Sequence, residues 1–177
     1  MGAIIEYIRG FIRYKSLLYE LVTRDIKVRY RRSILGILWT VLNPILMMIV
    51  MTVVFSKLFR FEIENFPIYF FCGNILFNFM VVATSDSLQS ILSGASLIKK
   101  VYIPKYIFPV SKALSAGVNL GFSYIAMLLV MIATGVRFHL TMLLTPFVVL
   151  YIMLFSIGLG LILATMMVFF RDIAHLY

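Results

Sequence analysis

The chain has 177 residues, of which 63% are hydrophobic and only 13% are charged, and its mean hydropathy is +1.04. Soluble domains carry about 25% charged residues, so this composition excludes a soluble globular domain and indicates an integral membrane protein. The net charge of +9 comes from basic residues between apolar segments, where the positive-inside bias explains them without a nucleic-acid ligand.

The first predicted element is an amphipathic helix at residues 17–32, within a cytoplasmic N-terminal region that covers residues 1–33. Helical projection gives a charged stripe, made of Glu20, Arg24, Lys27 and Arg31. The opposite arc is apolar and holds Leu18, Leu21, Val22, Ile26, Val28 and Tyr30. Asp25 and Arg29 fall inside this apolar arc, and their i,i+4 spacing predicts that they pair with each other. The helix either anchors the chain to the lipid surface or docks on a partner subunit.

The first predicted span covers residues 34–55, about 22 residues without a charged side chain. At about 1.5 Å per residue, this length crosses a hydrocarbon core of roughly 30 Å. Trp39, near its inner end, is typical of an interface anchor, and Asn43 and Pro44 predict a kink near the middle.

The second predicted span begins near Pro67 and carries Asn74 and Asn78 one helical turn apart. Amides in hydrocarbon need partners, so these side chains either pack against a neighbouring helix or line a substrate path. Asp86 is expected at the inner interface.

The third span, about residues 113–136, contains Gly117 and Gly121 in a spacing that permits close helix approach. The fourth span covers about residues 143–169.

A basic loop, residues 94–104, separates the second and third spans and is called the 94–104 loop below. We expect a short helix at residues 95–101, because Pro104 and Pro109 interrupt helical structure after it. Leu97, Ile98 and Val101 would form an apolar knob for docking on another protein, and the alternative is a loop that touches lipid headgroups.

The distribution of basic residues sets the predicted orientation. Of the 16 lysine and arginine residues, only Lys57, Arg60 and Arg137 fall in segments predicted to lie outside. This asymmetry predicts a cytoplasmic N-terminus, four spans and a cytoplasmic C-terminal segment.

Three motifs, in this order, carry a resemblance to a known family: RYxxSxLGxxWxxxxP at residues 29–44, LIKKVYIP at residues 97–104 and FRDI at residues 170–173. Together they resemble the permease subunit of bacterial ABC exporters for O-antigen and teichoic-acid polysaccharides. The resemblance implies an all-α membrane protein of the bacterial cytoplasmic membrane with six spans, of which residues 34–177 hold four. The last two spans and the outer re-entrant segment of the family are absent after Tyr177, so we expect that either this sequence or its gene is truncated.

The resemblance also implies roles for particular residues. A gating role at the cytoplasmic entrance goes to the helix before the first span, with Arg24, Asp25, Lys27, Arg29 and Tyr30. Contact with an ATPase is expected for Gly94, Leu97, Ile98, Lys99, Lys100 and Pro104, and for Arg171 and Asp172. Residues that line a conduit or pack between helices are expected to be Trp39, Asn43, Pro44, Asn74 and Asn78.

The same resemblance implies partners and substrate. Two permease copies and two separate ATP-binding subunits would move a lipid-linked glycan such as O-antigen, teichoic acid or a capsule-like polymer. The chain has no G-x-x-x-x-G-K-[ST] motif, so ATP and Mg²⁺ belong to the partner, and no cofactor, metal or catalytic residue is expected here.

Three other functions differ in how well the sequence supports them. An exporter permease for another amphiphile, such as a drug or lipid, would share all these features. A membrane-embedded transferase would need a polar catalytic cluster, but His139 and His175 fall on opposite sides of the predicted membrane. A secondary transporter would place ionisable groups at mid-membrane, where this sequence has none.

Overall fold

The computed structural model describes residues 14–30, 38–55, 65–136 and 140–177. Within these ranges the chain is helical and contains no strand, which confirms the all-α prediction for this part of the sequence. Its α-helices are α1 Lys15–Tyr30, α2 Leu38–Val53, α3 Phe66–Leu88, α4 Ser90–Ser93, α5 Ala95–Ile98, α6 Ile107–Thr134, α7 Thr145–Phe169 and α8 Ile173–Leu176. A 3-10 helix, Leu140–Leu144, leads into α7.

Three helical segments are long and apolar enough to cross a membrane, namely Phe66–Leu88, Ile107–Thr134 and Leu140–Phe169. The chain is therefore a multi-pass membrane protein. The apolar helix α2 corresponds to the first predicted span and runs through Pro44. Residues 34–37 lie outside the described part of the chain, so a membrane span over residues 34–55 stays a prediction.

Among the long helices, the boundaries follow the sequence closely except at the start of α6. Helix α3 begins at Phe66 with Pro67 in its first turn, and α7 ends at Phe169, both as predicted. Helix α6, however, begins at Ile107, six residues before the predicted start at residue 113. The expected interruption at Pro109 is wrong, because Pro109 lies in the first turn, where backbone N–H groups have no partner within the helix.

The core of the bundle lies along α3 and α6. Every fourth residue of α3 from Phe71 to Ala83 is buried, and these side chains meet a buried stripe of α6. The α6 stripe includes Ala113, Ala116, Leu120 and Met127. Alanine at two of these positions allows the two helix backbones to approach closely, so α3 and α6 form the centre against which α2 and α7 pack.

Among the described glycines of the long helices, Gly160 of α7 lies closest to a neighbouring helix. A Cβ atom added at Gly160 would lie 2.8 Å from Ser87 Cβ on α3. The Gly117–Gly121 pair makes no such close approach. A Cβ atom at Gly117 would meet only the end of the Met153 side chain, at 3.7 Å and beyond, and one at Gly121 would meet nothing within 4 Å. Close packing in the described residues therefore uses Gly160 rather than the Gly117–Gly121 pair.

Replacing Gly160 with alanine is expected to destabilise the bundle by ~1–3 kcal/mol, because the added methyl overlaps Ser87, which is itself fully buried. Gly158 provides a matched control two residues away, since a Cβ there meets nothing within 4 Å. Unfolding of both variants in mild detergent measures the difference. Equal stability of Gly160→Ala and Gly158→Ala would contradict the close approach.

Candidate functional site

Helix α1 packs on the beginning of α6. Leu18 and Leu21 of α1 are buried at 5% and 4% exposure, in a cluster with Ile107, Phe108 and Val110. The predicted apolar arc is confirmed at these leucines, and the charged stripe is confirmed as exposed at Glu20, Arg24 and Lys27. The prediction is wrong for Val28, because its side chain is 66% exposed and does not pack on the bundle. Arg31 and the side chain of Tyr30 lie outside the described residues.

Two ion pairs connect α1 to the long helices. The Lys112 ammonium of α6 lies 2.8 Å from Asp25 Oδ2, as an ion pair without the alignment of a hydrogen bond. Arg29 Nη2 donates a hydrogen bond of 2.9 Å to Asp86 Oδ2 of α3. The predicted Asp25–Arg29 pair is therefore wrong. Both residues face the bundle, where each meets an opposite charge from another helix, and this accounts for their position in the apolar arc.

Asp25 is the more buried of the two acids, and its side chain is only 14% exposed. An acid this enclosed requires a nearby cation, since an unpaired buried charge is costly. Arg24 Nη2, at 3.5 Å, is a second and more distant cation, and its own side chain is 60% exposed. Lys112 is thus the principal partner of Asp25.

Replacing Lys112 with glutamate is expected to release α1, because Asp25 would face a like charge at a cost of ~1–3 kcal/mol. A cysteine introduced by Leu21→Cys in a Cys72→Ala background reports the release through faster labelling by a polar maleimide. The double variant Asp25→Lys with Lys112→Glu should restore slow labelling. Lys27→Glu, on the exposed stripe, is the control, and unchanged labelling in Lys112→Glu would contradict the docking role.

The 94–104 loop contains a shorter helix than predicted. Helix α5 covers only Ala95–Ile98, and turns follow at Lys99 and Lys100, whose side chains are exposed. The expected apolar knob is only partly correct, because Leu97 and Ile98 are half-buried against the same cluster that holds Leu18, Leu21 and Phe108. The exposed apolar side chains are Val101, at 55%, and Tyr102, at 90%.

Gly94 fixes this loop against α6. A Cβ atom at Gly94 would lie 2.6 Å from two carbons of the Phe108 ring, and Phe108 is 4% exposed. Farther along the loop, Ile103 is buried and Pro104 is half-buried. The loop therefore contacts α6 at both of its ends and presents Val101 and Tyr102 between them.

The segment after α7 folds back on the end of α3. Ile173 packs with Leu88 of α3 and with Leu163 and Met167 of α7, and the Tyr177 hydroxyl hydrogen-bonds with the buried Thr84 hydroxyl. Arg171 and Asp172 are exposed. This segment, α1, the 94–104 loop, the end of α3 and the start of α6 gather at one end of the bundle, called the α1 end below.

A cavity of about 460 Å³ extends from the α1 end along α2, α3 and α6, and is called the polar cavity below. Its polar lining residues are Arg29, Asn43, Asn78, Asn119 and Ser123, and its aromatic ones are Trp39 and Phe79. Of the predicted conduit residues, the structure brings together Trp39, Asn43, Pro44 and Asn78. Asn74 is not among the described residues that line the cavity. Sequence reasoning missed Asn119 and Ser123, although their i,i+4 spacing inside an apolar span was a usable signal.

Comparison with known proteins covers nearly the whole chain. Residues 16–177 match the family described as ABC-2 type transporter. The chain is 35% identical over 172 residues to an O-antigen export system permease protein RfbA from Myxococcus xanthus, across 97% of this chain and 66% of that relative. A protein of the same name from Klebsiella pneumoniae is 27% identical over 174 residues, across 98% of this chain and 66% of its own length. The chain thus spans slightly less than two thirds of these curated relatives.

Proposed function

The chain belongs to the ABC-2 type transporter family, and we propose that it acts as the membrane-spanning subunit of an ATP-driven exporter of lipid-linked polysaccharide. The observation that carries this proposal is the similarity, across 97% of the chain, to a permease named for O-antigen export. The predicted orientation places the α1 end in the bacterial cytoplasm, where both an ATP-binding subunit and a newly made glycan would be met.

Contact with the ATP-binding subunit is assigned to the exposed part of the 94–104 loop. Val101 and Tyr102 offer an apolar anchor, while Lys99 and Lys100 surround it with positive charge. Apolar anchors carry most of the affinity at protein interfaces, and rim charges mainly steer association. The matching surface on the partner would be an apolar depression with an acidic rim. Arg171 and Asp172, exposed at the same end, would supply a second contact.

The packing of the loop suggests how a push from the partner would reach the membrane. Gly94 and Ile103 hold the loop to the first turns of α6, and Leu18 and Leu21 hold α1 to the same turns. Closure of the ATP-binding subunits would therefore displace the loop, the start of α6 and α1 together. Because α6 lines the polar cavity, this displacement would alter the cavity itself.

The polar cavity is the proposed beginning of the glycan path. Amide groups can both donate to and accept from sugar hydroxyls, and the face of an indole ring can stack on a sugar ring. Asn43, Asn78 and Trp39 supply these groups from two different helices. The outward faces of α2 and α7 carry exposed apolar side chains that would meet lipid or a second permease copy, in a complex with two copies of each subunit.

Affinity purification of the tagged protein from its native host tests this proposal. In mild detergent, an ABC ATP-binding subunit should co-purify with the chain in comparable amount. Recovery of a glycosyltransferase without any ATP-binding subunit would instead favour a biosynthetic role.

A further inference from the structure

Arg29 lies between two environments. Its guanidinium group hydrogen-bonds with Asp86 at 2.9 Å, and the same residue lines the polar cavity. Its side chain is 41% exposed, so the ion pair is not sealed from the space beside it. One cation is thus shared between an acid that holds α1 in place and a cavity large enough for a sugar unit.

The charge and hydrogen-bonding capacity of the cavity indicate the kind of ligand. Among the described residues that line it, Arg29 is the sole charged side chain, and the other polar groups are the neutral amides of three asparagines and the hydroxyl of Ser123. A guanidinium group beside neutral donors suits a phosphate linked to sugar, since Arg binds phosphate oxygens through several N–H groups.

We propose that Arg29 exchanges Asp86 for the phosphate of an amphiphilic ligand in the polar cavity, and that this exchange loosens α1. The proposal rests on the proposed function for the identity of the ligand, a polyprenyl phosphate or pyrophosphate that carries sugar. The phosphate group of a bilayer lipid has the same chemistry and is the alternative source.

Linkage between the two partners of Arg29 makes the proposal quantitative. A ligand that competes with Asp86 favours the released state of α1. The change in the free energy of release equals the difference between the ligand's binding free energies in the docked and released states. By reciprocity, removing the negative charge of Asp86 must strengthen ligand binding. An ion pair with a purely structural role has no such consequence.

Trp39 provides a local reporter, because it lines the cavity and is the only tryptophan in the 177-residue sequence. The chain is placed in phosphatidylcholine nanodiscs and titrated with polyprenyl pyrophosphate while its fluorescence is followed. Trp39→Phe gives the blank. Separate titrations use inorganic pyrophosphate and nanodiscs that contain phosphatidylglycerol. The wild-type protein should show a saturable change with at least one phosphate ligand.

Four variants then test the exchange. Arg29→Gln should weaken binding by about tenfold or more, and Arg29→Lys should retain part of the affinity. Asp86→Asn should tighten binding by about two- to fivefold, as expected for the loss of a partly exposed ion pair. Lys15→Gln, at an exposed position of α1 that does not line the polar cavity, should bind as the wild type does. Ligand should also speed labelling of the Leu21→Cys reporter described above.

The possible results either overturn the exchange or identify the source of its phosphate. Wild-type affinity in Arg29→Gln, or unchanged or weaker binding in Asp86→Asn, would overturn the exchange, as would the absence of a response to all three phosphate ligands. An equal response to phosphatidylglycerol and polyprenyl pyrophosphate would support the site and assign its phosphate to bilayer lipid. These results do not depend on co-purification of the ATP-binding subunit, so failure of the exchange and failure of the proposed function are distinguishable.

Discussion

Replacing Tyr102 with aspartate is expected to abolish co-purification of the ATP-binding subunit while the membrane bundle stays intact. The Tyr102 side chain is 90% exposed, so the substitution removes little packing within the chain. At the proposed interface, the new carboxylate would have to lose its hydration against an apolar surface. Loss of an aromatic anchor alone typically costs ~2 kcal/mol or more at protein interfaces, and a buried unpaired charge adds to that cost.

Tyr19→Asp is the matched control, because Tyr19 is also an exposed tyrosine at the α1 end, with 73% exposure, but lies on α1. Both variants are compared with the wild type for membrane insertion and for retention of the ATP-binding subunit. Leu97 is a poorer choice, since it packs against the buried cluster that holds Leu18, Leu21 and Phe108, and its replacement would disturb the fold. Retention of the subunit at wild-type level by an inserted Tyr102→Asp protein would contradict the contact.

Replacing Gly94 with alanine is the second change expected to have a large effect. The new methyl group would overlap the Phe108 ring at 2.6 Å, and the buried ring has little room to move. Such overpacking costs ~1–3 kcal/mol and would displace the 94–104 loop from α6. We therefore expect both lower stability and weaker coupling of ATP hydrolysis to transport.

A second substitution separates this steric effect from other causes. Phe108→Leu removes the ring, so the Gly94→Ala, Phe108→Leu double variant should lose less stability than the sum of the two single variants. Gly121→Ala serves as the control glycine, because a Cβ there meets nothing within 4 Å. Additive losses in the double variant would contradict a direct clash between residues 94 and 108.

Most of the helical framework was predictable because hydropathy and helix breakers act locally. The end of α7 at Phe169 and the start of α3 beside Pro67 follow from the apolar runs and the prolines at their edges. The start of α6 could not be predicted in this way, because proline is tolerated in a first helical turn and the burial of Ile107 and Phe108 stabilises that turn. A local rule that treats Pro109 as a helix breaker misses this tertiary contribution.

The site was less predictable because its contacts join residues distant in sequence. Asp25 and Arg29 have the spacing of an intrahelical pair, yet Lys112 and Asp86 are better placed partners once α1 packs on the bundle. In the 94–104 loop, apolar character alone cannot distinguish Leu97, which packs inward, from Val101, which is exposed. Trp39, Asn43 and Asn78 were identified from sequence, but only the structure brings Asn119 to the same cavity.

Deletion of the gene in its native host, followed by localisation of the lipid-linked polysaccharide, tests the exporter assignment most directly. Loss of surface polysaccharide and accumulation of its lipid-linked form on the cytoplasmic side are predicted, with rescue by the wild-type gene but not by one that encodes Tyr102→Asp. Unchanged surface polysaccharide would contradict the assignment. Failure to make the lipid-linked form at all would contradict it too, and would favour a transferase.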